Sequence, residues 1–489
     1  MKPRSRVLLP TVAAFAAGLA LGGVRAHATP EAHDPYQAIA QLGRVVVQIE
    51  NNYVDPVDRG KMVEGAIKGM VDNLDPHSAY LGPDEWKQFQ SDTEGRFGGV
   101  GLEVDGRGER LVVIAPIEGS PAQRAGIKSG DQIIAVDGED VMTQPLDRVV
   151  KKLRGAAGTK VKLTIHRESG RGRAALGSPD GGPAPSVGSG ADLADGGAAP
   201  AVERNGGERT GHTLVFELTR EVIQVSSVTY KMLGGNIGYL RIKQFQERSH
   251  AEMMAAVGKL RGQAKNANLS GILLDVRSNP GGLVDEATEI ADEFISSGGI
   301  YSMRHRGEII EDLKASSGGA LADVPCVALV NEWSASASEL LVGALQDNRR
   351  ATVVGVHTFG KGSVQSILPL PNGAGLKLTT ARYYTPSGHA IQADGIHPDV
   401  VVESAPPTSP MALKVTRERD LPGHLAAEGP SGPAVPRDAG AVVIDGGAAD
   451  DLGAALARDI PTDPSSSPDA VLRVGYQLLR SRGAAPPAR

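Results

Sequence analysis

Three pieces of the chain carry residue types that together suit acyl transfer. The first is Ser334-Ala335-Ser336-Ala337-Ser338-Glu339, which opens a helix after the apolar run Val327–Val330 and the break Asn331-Glu332-Trp333. Backbone N–H groups and the dipole at a helix start favour a developing oxyanion, although serines with a glutamate there are also ordinary caps. The second is Asn279-Pro280-Gly281-Gly282, a tight turn after the buried run Gly271–Val276, offering bare backbone N–H groups to such an anion. The third is Lys361, held between Gly360 and Gly362 in apolar surroundings that include Phe359, Val364 and Ile367. A lysine acts as a base near neutral pH only if its pKa falls from about 10.4 to about 7–8. Burial supplies a drop of that size. If 360–365 is extended, Lys361, Ser363 and Gln365 share one face, which places the Gln365 side-chain oxygen to orient the ammonium. The plain alternative is a lysine snorkelling from a strand edge.

Competing chemistries lack their residues. There is no Ser-x-x-Lys, no Gly-x-Ser-x-Gly and no His-Glu-x-x-His, which disfavours a β-lactamase-like site, a nucleophile elbow and a zinc peptidase of that type. His357 and His389 lie in the same region as rival bases for a serine, in no recognisable catalytic context. The single cysteine, Cys326, sits in an apolar run and reads as core; one thiol excludes intrachain disulfides and cysteine-built metal sites.

The elements that must position these groups alternate strand and helix from Ile237 onward, which predicts an α/β fold. Before them, Tyr36 to about Asp92 has helical periodicity, with helices before Asn51 and over Met62–Leu74, and a turn at Asp75-Pro76-His77-Ser78. His77 reads as a turn residue. From Gly95 the pattern becomes β, with strands at Leu111–Ile114, Asp131–Val136 and Val161–Ile165 and a helix at Leu146–Leu153. This order resembles a PDZ domain. Gly99-Val100-Gly101-Leu102 matches its carboxylate-binding loop, where successive inward N–H groups hold a peptide's terminal carboxylate. About 170–211 is low-complexity and reads as a disordered insertion in one hairpin.

The chain ends lie outside this core. Lys2, Arg4 and Arg6 precede the uncharged apolar run Val7–Val24 and Ala26-His27-Ala28, the pattern of an export signal. The run is also borderline for an uncleaved inner-membrane anchor. Either way, the body of the protein is expected to be periplasmic or otherwise extracytoplasmic. A net charge of −6 over 489 residues, with aromatics at 4%, argues against a nucleic-acid partner. After Pro406 the composition again favours disorder, apart from a weak helix at Val471–Leu479.

Over Tyr36–Glu403 the chain resembles the carboxyl-terminal processing peptidases, exported serine endopeptidases with an embedded PDZ domain. The resemblance is carried by ENNYVDPVD, LDPHSAYL, DTEGRFGGVGLEV, DVRSNPGG, SASASELLVGALQDNRR and TFGKGSVQ. It implies a multi-domain α/β protein: a ClpP/crotonase-like α/β serine peptidase core with an inserted PDZ domain and an N-terminal helical segment. The expected divisions are 1–28 signal or anchor, 36–94 helical, 95–220 PDZ, 221–405 peptidase core and 406–489 tail. It implies Ser336, the middle serine, as nucleophile, Lys361 as base and Gln365 as its assistant. The oxyanion donors it implies are the N–H of Ala337 and that of Gly282 or Gly281. Asp347 occupies a place sometimes given a supporting role and reads as structural. The implied substrates are proteins with apolar C-termini, with no metal or cofactor; an adaptor, homo-oligomerisation and a tether through 7–24 stay open. Trp333 departs from the small residue usual before the serine run, and the 170–211 insertion is unusual. A non-catalytic PDZ scaffold and an exported esterase are the rival readings.

Overall fold

A computed structural model describes residues 35–107, 110–168, 211–403, 416–427, 442–445 and 460–482. The chain divides into two units, Met1–Asn73 and Leu74–Arg489. In the first, helices Pro35–Asn52 and Arg59–Asp72 follow one another, the second capped by Asp58 accepting from the Lys61 N–H. Ile39, Leu42, Val45 and Ile49 of the first helix are exposed. Among the described residues no helix is long and apolar enough to cross a membrane; the signal and anchor readings lie outside them.

The second unit is built on a seven-stranded sheet. Its strands run in the order Val228–Leu233, Ile237–Ile242, Gly271–Asp275, Cys326–Val330, Ala351–Gly355, Val400–Glu403 and Val442–Asp445. The first pair is antiparallel and the rest are parallel. Continuous apolar runs at Gly271 and Cys326 follow from this, because central parallel strands are covered on both faces. Side-chain alternation sends Ile272, Leu274, Ala328 and Val330 to one core, with Val257, Phe294 and Leu341 of three helices. Leu273, Val327 and Leu329 turn to the opposite core.

That opposite core is completed by the C-terminal segment, whose packing the sequence did not show. Helix Ala470–Arg482, which contains the weak helix expected at Val471–Leu479, covers the second face of the sheet with buried Leu472, Tyr476 and Leu479. Asp469 starts it, accepting from the Leu472 N–H and from Arg277 Nη1 at 2.8–2.9 Å. Arg277 also pairs with buried Asp275, so the turn after the Gly271 strand is tied to the C-terminal helix. Residues 416–427 are likewise folded in, with Glu418 fully buried.

The sheet of residues 102–219 runs Leu102–Arg107, Arg110–Pro116, Gln132–Val136, Lys160–Glu168, Gly211–Thr219. With helix Leu146–Leu153 it closes a separate core of Val113, Ile133, Val149, Leu163 and Ile165. Strands Lys160–Glu168 and Gly211–Thr219 pair antiparallel through nine residues, so the 170–211 insertion, outside the described residues apart from its last position, joins neighbouring strands. Arg96–Gly99 and Glu221–Gln224 pair where the chain enters and leaves this sheet.

Tyr476 is 1% exposed and its hydroxyl donates to the Gly234 carbonyl at 3.1 Å. Tyr476→Ala is expected to cost about 3–5 kcal/mol, read as a lower urea midpoint. An unchanged midpoint would show that the C-terminal helix is not part of the core.

Candidate active site

The three serines of the run are not equivalent. Ser334 and Ser338 are fully buried. Ser334 donates to the Val276 carbonyl at 2.8 Å, and Ser338 donates to the Asn279 carbonyl at 3.0 Å. Both fasten the serine run to the Asp275–Gly282 segment. Ser336 stands at the N-cap of helix Ala337–Asp347, but with φ 57 and ψ −117 rather than the extended backbone of an ordinary cap, and its hydroxyl makes no capping bond. Such a backbone belongs to the first central position of a type II′ turn, usually glycine. Holding it in serine costs about 1–3 kcal/mol.

The Asn279–Gly282 turn packs directly on this serine. A Cβ on Gly281 would come within 2.8 Å of the Ser336 Cβ and 3.0 Å of the Ala337 nitrogen, so only glycine fits there. The Ala335 N–H donates to the Asn279 carbonyl at 3.0 Å. Gly281 and Gly282 differ as donors. The Gly281 N–H is already bonded to Asn279 Oδ1 at 2.9 Å. Gly282 meets Phe245 through a bridge made by the Gly281 carbonyl and the Leu283 N–H, which leaves its own N–H uncommitted. The Ala337 N–H, at the first helical position, is likewise outside the helix ladder.

The backbone of Lys361 is joined to that of Ser336 by Glu339, which sequence reading treats only as a cap. Glu339 is fully buried. Its Oε2 accepts from the Ser336 N–H at 2.8 Å and the Lys361 N–H at 2.9 Å; its Oε1 accepts from the Gly360 N–H at 2.7 Å and from the Thr358 hydroxyl. Burial pushes this carboxyl up to about 7, against the pull of its donors. Burial also pushes the Lys361 ammonium down to about 8, helped by Lys377 and opposed by Glu418, Glu339 and Asp75. The Lys361 and Ser336 side chains are not hydrogen-bonded to each other in this geometry. Gly360 has φ 97, and a Cβ on Gly362 would meet the Gln392 nitrogen at 2.3 Å; both glycines flanking the lysine are therefore sterically required.

Gln365 lies on strand Ser363–Pro369, just past a register shift. Its amide nitrogen donates to Ser363 Oγ at 2.9 Å and Thr379 Oγ1 at 3.4 Å, so the nitrogen is committed within the sheet and only the amide oxygen is left for the lysine. Thr379 in turn donates to Asp75 at 3.1 Å. The turn at Asp75–Ser78 thus supports the site, and His77 Nε2 meets buried Glu418 at 2.7 Å. Glu418 also accepts from Gln392 Nε2 at 2.9 Å. Local pattern carried no signal for the links of Asp75 and His77, because their partners are about three hundred residues away. Asp347 accepts from the Ser387 N–H at 2.9 Å. His357 is held down to about 4 by burial and by His397, which makes it a poor base, and its ring packs on His397. His389 bonds to the Gly395 carbonyl. Trp333 is 48% exposed beside the serine run.

In the 102–219 sheet, Gly99, Val100, Gly101 and Leu102 line one wall of a small pocket, with Val150 and Leu153 of the helix opposite. Val100 is buried, Gly101 has φ 74, and Arg154 covers the Phe97 ring at 4.6 Å.

Comparison with known proteins adds to this geometry. A profile of peptidase family S41 matches residues 236–402, a PDZ-domain profile matches 112–167, and one for the activating protease CtpB N-terminal domain matches 23–84. A carboxy-terminal-processing protease of Bartonella bacilliformis is 35% identical over 454 residues, spanning 92% of this chain and 90% of that protein. A probable CtpA-like serine protease of Staphylococcus haemolyticus is 35% identical over 374 residues, 76% of this chain and 66% of that one. Among solved structures, a photosystem II D1 C-terminal processing protease is 28% identical with a TM-score of 0.41, covering 73% of this chain and 86% of that chain.

If Lys361 works as the neutral amine, the acylation rate rises with pH through a midpoint near 8; single-turnover rates from about pH 6 to 10 test this, and a rate flat across that range contradicts it. Stability follows the same proton. The folded pKa lies below the unfolded value, so the unfolded chain binds the extra proton between about pH 8 and 10.4 and stability rises with pH across that window. Lys361→Met is accordingly expected to stabilise the fold at pH 7 by roughly 2–3 kcal/mol, and by less at pH 10, in urea unfolding.

Proposed function

The chain belongs to the carboxy-terminal-processing proteases of peptidase family S41, and on that premise we propose that it cleaves exported proteins near their C-termini with Ser336 as nucleophile and Lys361 as base. It is a serine-type peptidase with a PDZ domain. The observation that carries the assignment is Glu339, whose one carboxylate oxygen receives both the Ser336 and the Lys361 backbone N–H. Among the three serines, Ser336 is the one whose hydroxyl is not used to hold the run in place.

Neutral Lys361 takes the proton from the Ser336 hydroxyl as its oxygen attacks the scissile carbonyl. The tetrahedral oxyanion is received by the N–H groups of Ala337 and Gly282. The Gly281 N–H, engaged by Asn279, shapes the turn instead. Lys361 then protonates the leaving amine, giving a free amine and an acyl-enzyme. A water, deprotonated by the same lysine, hydrolyses the ester and restores both groups. Gln365 assists through its amide oxygen, the part not directed to Ser363 or Thr379. The pocket between the Gly99–Leu102 loop and helix Leu146–Leu153 takes an apolar C-terminal residue, with the terminal carboxylate at the loop N–H groups. An extracytoplasmic location follows from the reading of 1–28.

An unfolded substrate ending in apolar residues tests the chemistry. Ser336→Ala and Lys361→Ala are each expected to slow cleavage by at least about 10³-fold. Retention of activity in both variants would remove the dyad, and no cleavage by the unaltered protein would favour a tail-binding scaffold. Val150→Asp, in the pocket wall, is expected to raise KM about tenfold for the apolar-tailed substrate. If KM stays the same, the pocket does not read the tail.

A further inference from the structure

The loop that carries Lys361 is bordered by a side-chain cluster that peptide hydrolysis does not use. His357 follows strand Ala351–Gly355, and the segment after Tyr384 returns past it with His389, Asp394 and His397. One ligand atom each from His357, Asp394 and His397 lie within 4.8 Å of one another. The His357 and His397 rings face each other at 4.0 Å between centroids. Asp394 lies between two imidazoles, with Oδ1 3.3 Å from His397 Nε2 and Oδ2 3.3 Å from His389 Nε2. His357 Nε2 is buried and makes no hydrogen bond. Buried polar nitrogens are nearly always paired, so this one needs an account.

We propose that His357, Asp394 and His397, with His389 at the rim, form a binding site for a divalent transition-metal ion, Zn2+ before others. Two or three imidazoles and a carboxylate are a nitrogen-and-oxygen donor set that suits Zn2+. The hard cations Mg2+ and Ca2+ prefer sets dominated by oxygen. The orphaned His357 nitrogen gains a partner, and Asp394, already drawn to two histidines, supplies the anionic ligand. Bound donors stand roughly 3.3 Å apart at ordinary Zn–N lengths, so the side chains close by a small contraction. Outer support is present: the His397 carbonyl accepts from Gln346 Nε2 at 2.8 Å, which holds the His397 backbone in place. Entry is from a surface pocket of about 240 Å3 lined by Gln346, Asp347, His397, Pro398 and Asp399, whose two carboxylates attract a cation.

The location gives the ion a consequence. Thr358, next to His357, donates to Glu339 and accepts from the Ile396 N–H at 2.7 Å. The Ala393 N–H donates to the Gly360 carbonyl at 2.8 Å. An ion joining His357 to Asp394 and His397 therefore ties together the two segments that hold the backbone of Lys361.

The test uses the untagged full chain carrying Ser336→Ala, stripped with a chelator, titrated with Zn2+ by calorimetry and with Co2+ by visible absorption. One Zn2+ per chain at micromolar affinity or better, with the intense bands of four-coordinate Co2+, is the expected result. His357→Ala and His397→Ala are each expected to weaken Zn2+ binding about 100-fold or more, with metal-free circular dichroism and melting like the parent's. Parental Zn2+ affinity in a folded His357→Ala/His397→Ala double variant overturns the proposal. So does a parent protein that binds no Zn2+ below millimolar concentration, a result that needs no variant to fold. Because Ser336 is absent throughout and binding is the readout, the outcome is independent of the proteolytic assignment.

Discussion

A single buried carboxylate holds the site together. Glu339 sits on the first turn of its helix, yet three of its four donors come from elsewhere: the Thr358 hydroxyl and the Gly360 and Lys361 N–H groups. Only the Ser336 N–H is local. An ionised carboxylate is purely an acceptor, and four converging donors match it, each such bond contributing more than a neutral one. Removing the group would leave those donors buried and unmatched, which costs more than the bonds contribute. This desolvated arrangement also sets the separation of the serine and lysine backbones, which neither segment specifies alone.

Around that clamp, most neighbouring polar groups are committed to one another. Ser334 and Ser338 satisfy backbone carbonyls of the Asp275–Gly282 segment, and the Asn279 side chain occupies the Gly281 N–H. The Ser336 hydroxyl and the Ala337 and Gly282 N–H groups are left uncommitted. The strained Ser336 backbone is tolerable because the surrounding bonds over-determine it. The same network reaches the far side of the sheet. Arg277 leaves the turn to join Asp275 and Asp469, and Asp469 starts the C-terminal helix.

The electrostatics at Lys361 lower the cost of reaching the neutral amine, bringing its pKa down to about 8. Glu418, Glu339 and Asp75 would each keep it charged, while burial and Lys377 oppose them and prevail. Much of the carboxylates' charge is already engaged by other donors: Glu339 by its four, Glu418 by His77 and Gln392, Asp75 by Ser78 and Thr379. A carboxylate whose lone pairs face fixed donors offers less to a nearby ammonium than its formal charge implies.

Features governed by local rules were legible in the residues. Strand–helix alternation, the Leu146–Leu153 helix, the glycines around Lys361 and the serine run at a helix start each follow from side-chain periodicity, capping or φ within a few residues. The family came from a resemblance carried by whole motifs such as SASASELLVGALQDNRR and TFGKGSVQ, not from the residues' spacing alone. At the tail the helix around Val471–Leu479 was legible but its role was not, because composition gives no sign that helix Ala470–Arg482 covers one face of a parallel sheet. The choice between Gly281 and Gly282 as the free donor, the direction of the Gln365 amide, and the joining of His77 to Glu418 rest on which buried donor finds which acceptor. Glu339 belongs in the same group. Its type and position mark a cap, but its second set of partners lies about twenty residues on, and only the folded chain brings them within hydrogen-bond reach. Backbone preference is a property of neighbours in sequence, whereas the pairing of buried polar groups is a property of neighbours in space.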